Sequence, residues 1–161
     1  MTEAKELVEL LRHGGLRCRT GALLLPKSQL GQESTIASRL GVQYIDFVPF
    51  LLKTLSVEAT YVDITAVKLL NWLDDISATA SERDCVLVAN FDVPFSKIAH
   101  EDRSLFWKRF LIDFPHKKRG VIVSLPGVNS HSALLPEADT RCEWLAAKRL
   151  ITQADGERTQ A

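Results

Sequence analysis

The sequence predicts an α/β domain of three layers, in which a mostly parallel sheet carries helices on both faces. Three observations predict it. Strongly apolar runs at 21–25, 85–91 and 121–125 alternate with segments of helical periodicity. Runs that are apolar at nearly every position suit strands covered on both faces, and parallel sheets bury their strands in that way. The chain has 161 residues, enough for one domain with a sizeable core.

The elements follow in order. Residues 2–13 place Leu7, Val8, Leu10 and Leu11 at helical spacing, and Gly14-Gly15 stops that helix. Gly21 to Leu25 is the first strand. Residues 29–40 carry Leu30, Ile36, Ala37 and Leu40 at helical spacing, ended by Gly41. VQYIDF (42–47) reads as a second strand, and PFLLKTL (49–55) as a short helix or turn. From Asp63 to Ala78, Val67, Leu70, Leu73 and Ile76 form one stripe with Trp72 beside it, and Asp63 is placed to cap the helix. After the SERD loop (81–84), CVLVANF (85–91) is the most strand-like segment, and Cys85 reads as a small buried hydrophobe. Glu101 to Phe114 is a helix with Leu105, Phe106, Phe110 and Leu111 inward. HKKRG (116–120) is a polar turn before the strand VIVSL (121–125). CEWLAAKRLI (142–151) fits either a last strand or a helix. One domain over residues 1–151 is expected, followed by a polar tail, 152–161, that frays. Right-handed crossovers narrow the topology and leave strand order open.

Composition excludes several classes of function. Twenty basic and twenty acidic residues cancel, so no global field draws nucleic acid or membrane. Cys18, Cys85 and Cys142 form no CxxC pair or Cys/His cluster, which argues against a structural zinc and fits a reducing cytoplasm. No apolar stretch reaches membrane-spanning length, and the acidic N-terminus lacks a signal-peptide core, so a cytoplasmic setting is expected. His13, His100, His116 and His131 lie in different segments without an HExxH pattern. Ser124, Ser130 and Ser132 lack a G-x-S-x-G setting. Asp63 and Lys68 imitate a nuclease pair, yet the pattern puts them on one helix and not on neighbouring strands. Trp72, Trp107 and Trp144 lie near helical apolar stripes and read mostly as core.

The loop after the first strand holds the most informative residues, because open α/β sheets bind ligands at the carboxyl ends of their strands. A phosphate-binding loop reads G-x-x-x-x-G-K-[ST] there: backbone N–H groups wrap the phosphate, the lysine neutralises it and the hydroxyl holds Mg²⁺. The register from Gly21 to Ser28 would turn the apolar strand into a loop. The register from Pro26 keeps the spacing and Gly31, but it puts Pro26, Gln32 and Glu33 at the first glycine, the lysine and the hydroxyl. Proline has no N–H to give. Glutamine carries no charge, and a glutamate beside phosphate costs about 1–4 kcal/mol per charge pair at ~4 Å. Lys27 is near enough to offset part of that. The plainer alternative is a strand-to-helix loop with Ser28 as helix cap. CVLVANFDVPF has the apolar run of a Walker B strand, with Ala89 or Asn90 where the metal-organising Asp belongs. Asp92 stands close behind, either as a catalytic acid or as a loop or cap residue before Pro94.

The order LLL, loop, helix, LGVQYIDF, then VLVANFDVPF and RGVIVSLPG resembles the P-loop-containing BrxF proteins of bacteriophage exclusion (BREX) systems, over residues of about 20 to 128. The resemblance implies a P-loop NTPase-like fold (AAA+/RecA-like) without a lid domain. It places the Walker A lysine and hydroxyl on Gln32 and Glu33, the Walker B Asp on Ala89, its neighbour on Asn90 and the Glu on Asp92. Lys27, Ser28, Gly31, Gln32 and Asp92 would then be a vestigial nucleotide site, with neither ATP nor Mg²⁺ as a working cofactor. The implied role is antiviral defence, exercised by binding other proteins of the system. The fold is also similar to inactive RecA-like proteins such as the SulA cell-division inhibitor, which works by binding a partner. Two alternatives stay open. One is a weak ATPase in which Lys27 and Asp92 stand in for the lost groups. The other is a DNA-contacting subunit using Lys108, Arg109, Lys117, Lys118 and Arg119. A second copy of the chain is a further candidate partner.

Overall fold

Side chains along β1 (Thr20–Leu25), β3 (Cys85–Ala89) and β4 (Gly120–Pro126) are buried at every position. Successive side chains of a strand point to opposite faces, so such runs must be covered twice. Leu23, Leu25, Cys85, Leu87 and Ile122 enter one apolar cluster, and Ala22, Leu24, Val86, Val88 and Val123 enter another. The computed structural model describes residues 2–13, 15–54, 64–79, 82–114, 119–127 and 133–153. β2 (Gln43–Asp46) and β5 (Leu150–Thr152) complete a five-stranded sheet in the order β2-β3-β4-β1-β5, with every pairing parallel.

Helices cover both faces. α1 (Thr2–His13) and α2 (Glu33–Leu40) pack Leu7, Val8, Leu11, Ile36 and Leu40 onto the first cluster. α1 lies close to the sheet at Gly21, where an added Cβ would sit 2.9 Å from the Leu7 side chain. α3 (Phe47–Thr54), α4 (Ala66–Ala78), the one-turn α5 (Asp92–Phe95), α6 (His100–Ile112) and α7 (Ala138–Ala146) lie over the second cluster. From β1 the chain moves across to the far edge through α2. From β2 to β5 it returns the other way through helices on the opposite face. A path of constant handedness must change face when it changes direction, as right-handed crossovers require.

Several expectations shift by a residue or an element. α2 starts at Glu33, after a 3₁₀ turn at Lys27–Gln29, and Gly41 ends it at φ 72°. Ser28 therefore lies within that turn and is not the helix cap. Phe47 opens α3 and does not close β2. The N-cap of α4 is Thr65, whose hydroxyl accepts the Lys68 N–H at 3.2 Å; Asp63 lies outside the described residues, and so does half of the Asp63–Lys68 pair. Val67 is exposed and Leu69 takes its place in the core; on α6, Leu105 is at the surface and Trp107 is inward. Segment 142–151 is both things at once, the end of α7 and the start of β5. Order runs past residue 151: Thr152 belongs to β5, and the Gln153 N–H donates to Leu24 O at 2.8 Å. Trp107 and Trp144 are core and Trp72 is half-buried. No helix among the described residues is long and apolar enough to cross a membrane.

Candidate functional site

Strand order decides where a site forms. β1 and β4 are neighbours, but the chain leaves β1 toward β2 and leaves β4 toward β5. Their connections diverge, and a crevice opens at their carboxyl ends, the switch point where α/β proteins bind ligands. A hollow of about 130 Å³ lies there. Its polar wall is Gly31, Glu33, Asn90, Asp92 and Ser124; Leu25, Leu30, Leu125 and Pro126 supply the apolar part.

Pro26 ends β1 because it cannot continue the ladder. The 3₁₀ turn then uses the loop's own donors. Gln29 N–H bonds Pro26 O at 2.9 Å, Leu30 N–H bonds Lys27 O at 3.3 Å, and Gln32 N–H bonds Gln29 O at 3.1 Å. Gly31 adopts φ 89°, a left-handed geometry that a side chain would strain. Its N–H donates to Glu33 Oε1 at 2.6 Å. Glu33 is only 8% exposed, at the start of α2. Its carboxylate thus occupies the position where a loop N–H and the positive end of a helix would meet an anion.

The opposite wall comes from β3. Ala89 is the fully buried last residue of that strand, and Asn90 follows at φ 61°, a conformation Asn tolerates. Asn90 Nδ2–H donates to Asp46 Oδ1 at 3.0 Å, and the same oxygen accepts the Val48 N–H at 3.1 Å. Asp92 is the first residue of α5, with Phe91 as its N-cap, so it does not serve as the cap. Ser124 is almost fully buried, with its hydroxyl 3.4 Å from Val88 O. Partial burial first, then the negative charges of Asp46 and Glu33, push the Tyr44 phenol up. Among the described residues, no three His, Cys, Asp or Glu side chains form a metal-binding group.

The structure brings Gly31 and Asp92 together, and adds Glu33, Asn90 and Ser124 to them. It does not bring in Lys27, Ser28 or Gln32: Lys27 and Gln32 are exposed, Gln32 bonds back to Ser28 O, and none of the three lines the hollow. The basic set divides as well. Lys108 and Arg109 are exposed on α6, while Lys117 and Lys118, with His116, His131, Ser130 and Ser132, lie outside the described residues. Arg119 is 4% exposed and serves the core: its guanidinium bonds Gln43 Oε1 and Ile76 O, and burial lowers its pKa. It cannot belong to a surface patch. Sequence reasoning found Glu33 as a repulsive charge and missed it as an acceptor. The signal was a glycine needing left-handed φ two residues before a helix-opening glutamate.

Fold and site define an α/β protein whose all-parallel sheet carries a small, acid-walled hollow at its switch point. In comparison with known proteins, the chain matches no protein-family model and no curated protein.

Proposed function

We propose that this protein is a non-catalytic, P-loop-like binding subunit in which the nucleotide position is closed by its own Glu33. The observation that carries the reading is the 2.6 Å bond from Gly31 N–H to the buried Glu33 carboxylate. Size and charge support it. The hollow, about 130 Å³, is well below the ~300–1,000 Å³ of pockets that enclose small ligands. A triphosphate placed there would meet Glu33 and Asp92, each costing about 1–4 kcal/mol per charge pair at ~4 Å. Among the described residues the wall holds no lysine or arginine to offset them. The resemblance to BrxF proteins supplies the setting: an antiviral assembly in the cytoplasm, in which this chain binds other proteins of the system.

Titration calorimetry with Mg-ATP tests the reading. No saturable heat is expected up to millimolar nucleotide. Micromolar binding that disappears in Lys27→Ala would overturn the proposal in favour of the weak ATPase.

A further inference from the structure

The sheet has a second feature, at its other end. β5 is an edge strand, paired with β1 alone among the described residues. Arg149 O accepts the Ala22 N–H and the Gln153 N–H donates to Leu24 O, so residues 149 and 153 face β1. Alternation then turns the N–H and C=O of Leu150 and Thr152 away from β1, to the side where no strand pairs among the described residues; Thr152 is exposed and Leu150 is buried. Alongside that edge runs a trough of about 470 Å³ between α1 and the end of α7. Leu10, Leu145, Leu150 and Ile151 give it an apolar lining, and Leu145 is half exposed. The α1 wall is acidic: Glu3, Glu6 and Leu10 share one stripe of the helix and face the trough. The α7 side offers one charge, Lys148.

We propose that this edge takes an extended segment of a partner protein as a sixth strand, and that the segment is apolar with a basic side chain on the side facing α1. Backbone groups of Leu150 and Thr152 supply the hydrogen bonds, and the side-chain trough supplies the selectivity, as in other cases of strand addition. Charge complementarity selects the occupant. Glu3 and Glu6 favour lysine or arginine opposite α1. They also disfavour a second copy of this chain pairing its own β5 antiparallel to this one to make one continuous ten-stranded sheet. In that arrangement the two α1 helices lie on the same face and set acid against acid. The site is separate from the hollow at the switch point, so it stands whether or not the loop after β1 binds nucleotide.

The probe is the peptide acetyl-Val-Lys-Val-Lys-Val-amide, with its glutamate counterpart as control, followed by ¹⁵N NMR on the full chain. Saturable shifts are expected at the Leu150 and Thr152 amides with the lysine peptide and at least ten-fold weaker binding of the glutamate peptide. Thr152→Pro removes one outward donor, and proline is tolerated at a sheet edge; it is expected to abolish the shifts with the spectrum otherwise preserved. Glu3→Lys with Glu6→Lys, two exposed positions, is expected to reverse the preference. Equal binding of both peptides, shifts centred elsewhere or no shift at all would overturn the proposal. So would dimerisation of the free protein in sedimentation that Thr152→Pro abolishes, since the edge would then belong to a second copy.

Discussion

The two faces of the sheet are built from different materials. On the face under α3 to α7, Phe47, Phe91, Phe95, Phe106, Phe110, Phe114, Trp107 and Trp144 join one cluster. On the face under α1 and α2 the cluster holds no aromatic residue among the described residues. The aromatic side is a chain of ring contacts, with centroids 5.1 Å apart for Phe95–Phe106 and Phe106–Phe110 and 5.6 Å for Trp107–Trp144. Offset and edge-on pairs of this kind add about 0.5–1.5 kcal/mol beyond area burial. The aliphatic side consists of two helices, and one of them carries the loop that closes the switch-point hollow. The aromatic face is therefore expected to be the stability centre, and each candidate binding feature has one wall on the lighter face, Glu33 of α2 at the hollow and Glu3, Glu6 and Leu10 of α1 at the trough.

The largest effect should come from the middle of the ring chain. Phe106 meets Phe91, Phe95, Trp107 and Phe110. Phe106→Ala is expected to cost about 3–5 kcal/mol, the range for a large buried aromatic, read as a lower urea midpoint. A loss under about 1 kcal/mol would break the comparison, because the aromatic layer would then not be the stability centre.

A smaller effect is expected at the loop. Glu33→Ala deprives the Gly31 N–H of its acceptor, but Gly31 is exposed and water takes its place. The cost should be about 1 kcal/mol, below the ~1.5–3 kcal/mol of charged hydrogen bonds in closed sites. Amide exchange at Gly31 should accelerate by about ten-fold, while exchange at Val88 and Val123 changes only by the global loss of stability. If Gly31 exchanges no faster in the variant, the carboxylate does not close the loop.

How far these features could be read beforehand depended on whether their causes were local. The buried strands β1, β3 and β4 announce themselves, since burial on both faces demands a continuous apolar run. The closing glycine of α2 is equally local. Positions set by tertiary contact were not legible. Val67 and Leu105 satisfy a helical stripe, but the helix rotation is fixed by what lies opposite, and Leu69 and Trp107 face the core instead. Arg119 in a basic run reads as surface. Only the fold reveals that Ile76 O and Gln43 await its guanidinium. Arg149 is buried for a similar reason, donating to Thr20 O at 2.8 Å while its guanidinium lies 5.1 Å from the centre of the Trp144 ring. At the site, Gly31 and Asp92 both line the hollow, because each follows closely on a strand whose carboxyl end borders it. The partners of Glu33 and Asn90 depend on backbone φ at single residues, which apolar periodicity does not encode.

The loss of a single methyl discriminates best between the faces. Cys85 belongs to the aliphatic cluster, beneath Leu11 at Gly120, and burial pushes its thiol up; Cys18 belongs to the aromatic cluster, with its Sγ 3.3 Å from Phe114 O. Each thiol can react only when its own face opens. Cys142 is exposed and would mask both, so Cys142→Ser is the background. Ile36→Val removes one methyl from the layer under α2 and should cost about 0.5–1.5 kcal/mol. If the aliphatic face opens on its own, Cys85 labelling should rise about 2- to 10-fold, with Cys18 labelling unchanged, as expected for local units of differing stability. Equal acceleration at both thiols would show that the sheet opens as one body, and the contrast in composition would then carry no contrast in dynamics. Selective acceleration at Cys85 would assign the mobile layer to the pair of helices that border the hollow and the trough.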